Sequence, residues 1–281
     1  LDVPFFTWPL TGGTTRWHGG ELVGWPEHNQ IDQVRTQLRN SNEADLRMQV
    51  ALIRGSIRAA TAHLGLASNS DVGTGAGGPA PTSQVLARRC FETTAAAALP
   101  VRGNVRWMGL SMLPDGVHAN VAPIGVGLYD GRMGLAVSLV LWAQADPNAA
   151  DQAMQLCRQT LAPVLEAIAD VDGVHHQMVF SGCGLSGIGG LLRGLAFLRR
   201  HSLVDSEAIA EAQRSILDFL TPSLMIDDSR LDVMSGAAGL VAPLVRLLAD
   251  EADGQDCGIP RQHLLDLIAA SAHVLVTRQD A

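Results

Sequence analysis

The sequence predicts an all-α fold in which helices pair in repeats and form an inner and an outer layer, as in an α/α toroid or a curved solenoid. Three observations carry that prediction. Apolar residues recur at helical spacing through most of the chain. A Gly-x-x-Gly followed by an apolar run occurs three times, at Gly131-Arg-Met-Gly134, Gly184-Leu-Ser-Gly187 and Gly236-Ala-Ala-Gly239. The second glycines stand 53 and 52 residues apart, and a fixed period of that size marks a repeat array.

Composition sets the outer bounds. The chain has 281 residues, 47% hydrophobic and only 17% charged, against a typical charged share of about 25%. A mean hydropathy of +0.16 excludes general disorder. The net charge of −8 speaks against a nucleic-acid binder held by a basic face. Cys90, Cys157, Cys183 and Cys257 are too scattered for a disulfide framework and fit a reducing, cytoplasmic setting. No apolar run reaches the roughly 18 residues of a membrane span. The chain does not begin with methionine.

In chain order, residues 1–29 are punctuated by Pro4, Pro9, Gly12, Gly13, Gly19, Gly20, Gly24 and Pro26 and are expected to be irregular. Ile31, Val34 and Leu38 then share one face of a first helix. Ser41 or Asn42 caps a second, with Asp45 in its first turn and Leu46, Val50, Ile53 and Ile57 along one face. Two helices cannot bury these faces alone, so this part is expected to pack on something else. Residues 65–81, GLASNSDVGTGAGGPAP, lack large apolar side chains and read as a flexible linker between 1–64 and 82–281.

Within 82–281, each Gly-led helix is followed by an amphipathic one, at about 150–168, 206–220 and 261–277. Leu135, Val137, Leu139, Val140, Leu141 and Trp142 cover nearly every side of the first Gly-led helix, which predicts burial all round. Two glycines three apart leave the first turn bare. Its backbone is open to close approach, and its unpaired N–H groups would favour an anion or a polar partner.

These residues carry a resemblance. Gly127-Leu-Tyr-Asp-Gly-Arg-Met-Gly134-Leu resembles the opening repeat of LanC-like lanthionine cyclases. Ser186-Gly187-Ile188-Gly189-Gly190 and Asp232-Val-Met-Ser-Gly-Ala-Ala-Gly239 are similar to that family's later glycine repeats. Upstream, Asp2-Val3-Pro4-Phe5-Phe6, Asp45-Leu-Arg-Met-Gln49 and Ile53-Arg-Gly-Ser56 resemble the end of the dehydratase domain in class II lanthipeptide synthetases, the LanM family. Trp107 matches the start of their cyclase domain. The resemblance implies an α/α toroid, incomplete in this chain, made of the first three repeats of a cyclase domain (82–281) behind a dehydratase tail (1–64).

It also implies a two-step enzyme. A kinase-like dehydratase part uses ATP and Mg to phosphorylate Ser and Thr of a ribosomal precursor peptide, then eliminates phosphate. The cyclase part adds peptide Cys thiols to the dehydro residues, forming (methyl)lanthionine thioethers. Zinc held by a Cys and a later Cys-His pair activates the thiol. A catalytic His belongs to a Gly-x-His-Gly on the fourth repeat. Neither the Cys-His pair nor that motif occurs in this sequence. The chain is therefore expected to be an internal piece, inactive alone, of a bacterial cytoplasmic synthetase. An export-transporter complex is a further implied partner.

Single residues carry competing roles. Asp232 matches the family's acidic repeat position and is the candidate catalytic residue, orienting or protonating groups during thiol addition. Its plainer role is a helix N-terminal carboxylate favoured by the dipole. Asp130 is a second carboxylate whose plainer role is a helix cap. His175 and His176 with Cys183 lack a metal-ligand spacing and read as loop histidines and a small core thiol. His118 is treated alike, His273 reads as a packed histidine, and Asp227-Asp228 as a solvated loop pair. Two other readings remain: an α-solenoid that only binds peptide, and another α/α-toroid enzyme with Asp130 and Asp232 as paired carboxylates.

Overall fold

The computed structural model describes residues 6–7, 14–17, 20–22, 30–62, 82–101, 104–112, 119–201, 205–227, 230–252 and 258–278. The linker read at 65–81 lies outside them, as do His118, Asp228 and Cys257. The chain divides into two units, Leu1–Ala51 and Leu52–Ala281.

The first unit contains a feature the punctuation did not suggest. Strands β1 (Phe6–Thr7), β2 (Thr15–Trp17) and β3 (Gly20–Leu22) pair antiparallel, with Phe6 opposite Trp17 and Thr15 opposite Leu22. Strands of two or three residues fit between closely spaced glycines and prolines. Helix α1 (Gln30–Asn40) follows, and α2 (Glu43–Ala62) runs on across the division between the units. Of the two caps the sequence offered for α2, Asn42 is used: its side chain accepts from Asp45 N–H at 3.3 Å, while Asp45 Oδ2 accepts from Asn42 N–H at 2.9 Å. That reciprocal pair is a capping box. Along the apolar stripe Leu38 is 69% and Leu46 63% exposed, while Val50 is half-buried.

In the second unit α3 (Ser83–Ala97) starts at Thr82, whose hydroxyl accepts from Val85 N–H. Two antiparallel ribbons follow: β4 (Leu99–Val101) with β5 (Asn104–Arg106), and β6 (Met108–Met112) with β7 (Ala119–Pro123). Trp107, between the ribbons, is buried. Its indole N–H donates to Thr160 Oγ1 at 3.0 Å, and that hydroxyl donates on to the Leu156 carbonyl.

The repeats then form two layers. Helices α4 (Arg132–Ala145), α7 (Ile188–Arg200) and α10 (Ala238–Ala252) lie side by side, α4 on α7 and α7 on α10. Each packs on its own following helix: α5 (Ala150–Ala167), α8 (Ser206–Phe219) and α11 (Arg261–Thr277). Two short helices interleave, α6 (Val171–Ser181) on α8 and α9 (Pro222–Asp227) on α11. The core lies between the layers, where Leu139, Leu161, Leu191, Leu195, Ile216, Leu244 and Leu267 are essentially inaccessible. Each such side chain stabilises the fold by about 1.5–3 kcal/mol, so tertiary burial holds these helices more than their own propensity does. The architecture is all-α, in the layered arrangement of the α/α toroid. Helix α4 is not buried all round as its composition suggests. Leu141 is 48% exposed, because it lies on the face turned away from the outer layer.

Candidate functional site

The loop before each inner helix folds back over that helix's first turn. Arg132, Met133 and Gly134 N–H donate to the carbonyls of Gly125, Val126 and Gly127 at 2.9, 3.2 and 3.4 Å. Ile188, Gly189 and Gly190 N–H donate to Gly182, Cys183 and Gly184 at 3.2, 3.0 and 3.3 Å. The first-turn N–H groups expected to await an anion are thus satisfied by the chain itself. The glycines recur because this fold-back needs room. A Cβ on Gly134 would meet the Leu128 carbonyl, one on Gly190 the Leu185 carbonyl, and one on Gly239 the Val233 carbonyl.

Neighbouring loops also join one another. Cys183, Leu185 and Ser186 N–H donate to Ser235, Val233 and Met234 carbonyls at 3.1, 3.0 and 2.8 Å, and Ser186 Oγ donates to Met234 O at 2.6 Å. Gly182, at φ +80°, is the left-handed residue that ends α6 and brings its backbone beside Ser235. The Ser186 carbonyl in turn lies 3.3 Å from where a side chain on Gly127 would begin. Three loops distant in sequence therefore form one rim at the N-terminal ends of the inner helices.

Asp232 and Asp130 both stand on this rim, exposed, in different states. Asp232 Oδ1 accepts from Met234 N–H at 2.7 Å and Ser235 N–H at 2.8 Å, which fixes the carboxylate and the turn beneath it. Asp130 makes no hydrogen bond or ion pair among the described residues. The helix behind it starts at Gly131 with no side-chain cap, so the cap expected of Asp130 is not made. Its carboxylate leans back toward Gly127 and borders a cleft of about 530 Å³ between α3, β6 and α4. Thr93, Thr94, Tyr129 and Ser138 supply hydroxyls to that cleft, and Trp107 and Leu128 apolar surface. Sequence reading missed this hydroxyl set. Only Tyr129 and Ser138 carried a signal, by lying within the first glycine repeat.

The other candidates disperse. His175 and His176 are exposed on α6, a helix rather than a loop, started by Asp170 accepting from Gly173 N–H at 2.7 Å. His175 packs toward Phe219. Cys183 is buried on the rim, its thiol directed at the Ser235 carbonyl. His273 is exposed on α11 rather than packed. A different histidine is tied in: His263 Nε2 lies 2.9 Å from the Leu217 carbonyl. Asp227 is exposed in the last turn of α9 rather than in a loop. Cys90 is exposed on α3, whereas Cys157 is buried and its thiol is pushed up to about 11 by desolvation, with Arg158 opposing weakly.

Among the described residues no group of three or more His, Cys, Asp and Glu side chains converges to hold a metal ion. The described donors do not fit a zinc site: Cys157 and Cys183 are core thiols turned toward backbone carbonyls, and no described histidine joins them in a metal-binding group. No helix among the described residues is long and apolar enough to cross a membrane.

Residues 122–275, more than half of the chain, match the model of the family described as lanthionine synthetase C-like protein. The matched span begins in β7 and ends in α11, so it takes in all three repeats and the whole rim. No curated protein matches the chain.

Proposed function

We propose, from the premise that this chain belongs to the lanthionine synthetase C-like family, that its rim presents a dehydrated precursor peptide for thioether formation. In that reaction the sulfur of a peptide Cys bonds to the β-carbon of a dehydro residue, the carbon–carbon π bond breaks, and the thiol proton is replaced by one delivered at the α-carbon. Asp232 is assigned the handling of that proton. The observation that carries this is its fixed carboxylate: Oδ1 is held by two backbone N–H groups at a rim where three repeats meet. A carboxylate already oriented pays no reorganisation when the proton moves. Asp130, unpaired beside a hydroxyl-lined cleft, is assigned to positioning the peptide.

Activation of the thiol by zinc is the family's chemistry, and no described residue of this chain is assigned to it. Dehydration with ATP and Mg is assigned to a LanM-type dehydratase part, on the resemblance of residues 1–64. The bacterial cytoplasm, and a handover to an export transporter, complete the proposal.

The test uses the gene product carrying this sequence, a dehydrated Cys-containing precursor peptide and zinc. Ring closure is read by mass spectrometry as the loss of alkylatable thiol. Asp232→Asn is expected to slow closure by about 100-fold, while Asp130→Asn mainly weakens peptide binding. Closure at the parent rate in Asp232→Asn would sink the assignment. Peptide binding with no closure in any preparation would favour the binding-only solenoid.

A further inference from the structure

A groove of about 310 Å³ lies between α7 and α10, lined by Arg193, Phe197, Arg200, Ala242, Pro243 and Arg246. On α7, Arg193, Phe197 and Arg200 fall at i, i+4 and i+7, on the face opposite the buried Leu191, Leu195 and Leu198. The groove therefore opens on the side of the inner layer turned away from α8 and α11. Arg193 and Arg246 lie six and seven residues beyond Gly187 and Gly239, so successive repeats present a cation within about one residue of the same height.

Its charge is unbalanced. Asp250, 5% exposed, lies beneath the groove and serves two of the three guanidiniums. Arg200 reaches its oxygens at 3.1 and 3.3 Å, and Arg246 reaches Oδ1 at 2.6 Å. This buried carboxylate holds both guanidiniums in place. Arg193 is exposed and forms no hydrogen bond or ion pair among the described residues. Three cations face one carboxylate, so two positive charges remain, in a chain of net charge −8. The spacing selects the class of ligand. Arg193 and Arg200 are two turns apart, about 10 Å along the helix. An extended peptide covers that distance in about three residues, so carboxylates at that spacing match the two cations one to one. Half-buried Phe197 lies between them and offers an apolar floor.

We infer that this groove binds an acidic segment of a peptide, with two carboxylates about three residues apart. The inference takes from the proposed function only the origin of that segment, the precursor peptide; the groove itself stands on its own geometry.

The test is fluorescence anisotropy of the full chain with a labelled extended peptide carrying Glu at positions three apart, against its Gln counterpart. Tighter binding of the Glu peptide by about tenfold is expected at low salt, shrinking at high salt. Arg193→Glu should remove most of that preference, while Arg158→Glu, an exposed arginine on α5, should leave it. Arg193 has no hydrogen-bond or ion-pair partner among the described residues, so its variant should melt with the parent, and circular dichroism checks this. Equal affinity for the two peptides would overturn the inference, as would equal losses in the two variants. Displacement of the Glu peptide by inorganic phosphate at equal concentration would also overturn it, since it would make this a single-anion site. Binding requires no turnover: retained Glu preference with failed ring closure counts against the proposed reaction alone.

Discussion

The 182–187 and 230–237 loops are stitched together, whereas the 125–131 loop only rests against its neighbour. Between the first two, three backbone N–H groups and the Ser186 hydroxyl donate across the junction, and Asp232 braces the turn that offers the acceptors. At the 125–131 loop, backbone bonds run back to the loop's own helix α4, and Asp130 braces nothing. Two Asp residues in similar motifs, each a few positions before a Gly-led helix, thus do different work. The motif places a carboxylate on the rim, and the turn that directly follows it decides whether its oxygens are used for structure.

That contrast breaks most completely at Gly239. A Cβ there would collide with the Val233 carbonyl and come within 2.7 Å of Leu185 N and 2.8 Å of Gly184 Cα, all backbone atoms that cannot swing aside. Gly239→Ala should cost about 3 kcal/mol in urea unfolding. Gly125→Ala, where a Cβ meets nothing within 4 Å, should stay within about 0.5 kcal/mol of the parent.

Asp232→Ala should come next, at about 1–2 kcal/mol, because two N–H groups of the turn lose their acceptor. Asp130→Ala should change stability by no more than about 0.5 kcal/mol. Equal losses at the two positions would erase the distinction between the loops.

The smallest effect at neutral pH is read through the thiols. Alkylation of the folded parent at pH 8, mapped by mass spectrometry, should label Cys90 and spare both Cys157 and Cys183. In Gly239→Ala, Cys183 should become labelled because it lies at the loosened junction, while Cys157, on α5 against α4, stays protected. The Cys157 thiol also has a pH signature. Folded, it keeps its proton up to about 11, above the ordinary value of 9.0. The native state then binds more protons than the unfolded one, so stability should fall as pH rises from 9 toward 11. Cys157→Ala should flatten that slope in pH-dependent melts.

Much of this was legible before any coordinates. The period, the Gly-led helices and the amphipathic partners α5, α8 and α11 follow from apolar spacing. The Asn42 cap follows from a polar residue three positions before Asp45. Two- and five-residue strands such as β1 and β6 carry too few residues for a period to show. Helix α6 was hidden because His175-His176 interrupts its apolar pattern, although Asp170 at its start is an ordinary cap signal. The predicted face of α1 and α2 is present, but its exposure depends on what surrounds it.

The sequence by itself determined the repeat, the helix pairs and the small residues at each repeat's start, because these are set by local spacing and by side-chain size. Tertiary structure alone decided which rim loops join, which thiol is buried and that Arg200 meets Asp250. Those depend on contacts between residues about fifty positions apart, such as Ser186 with Met234 and Arg200 with Asp250. A hydrogen bond or a desolvated thiol exists only once packing has brought the partners together and excluded water, and no local pattern of residues encodes that.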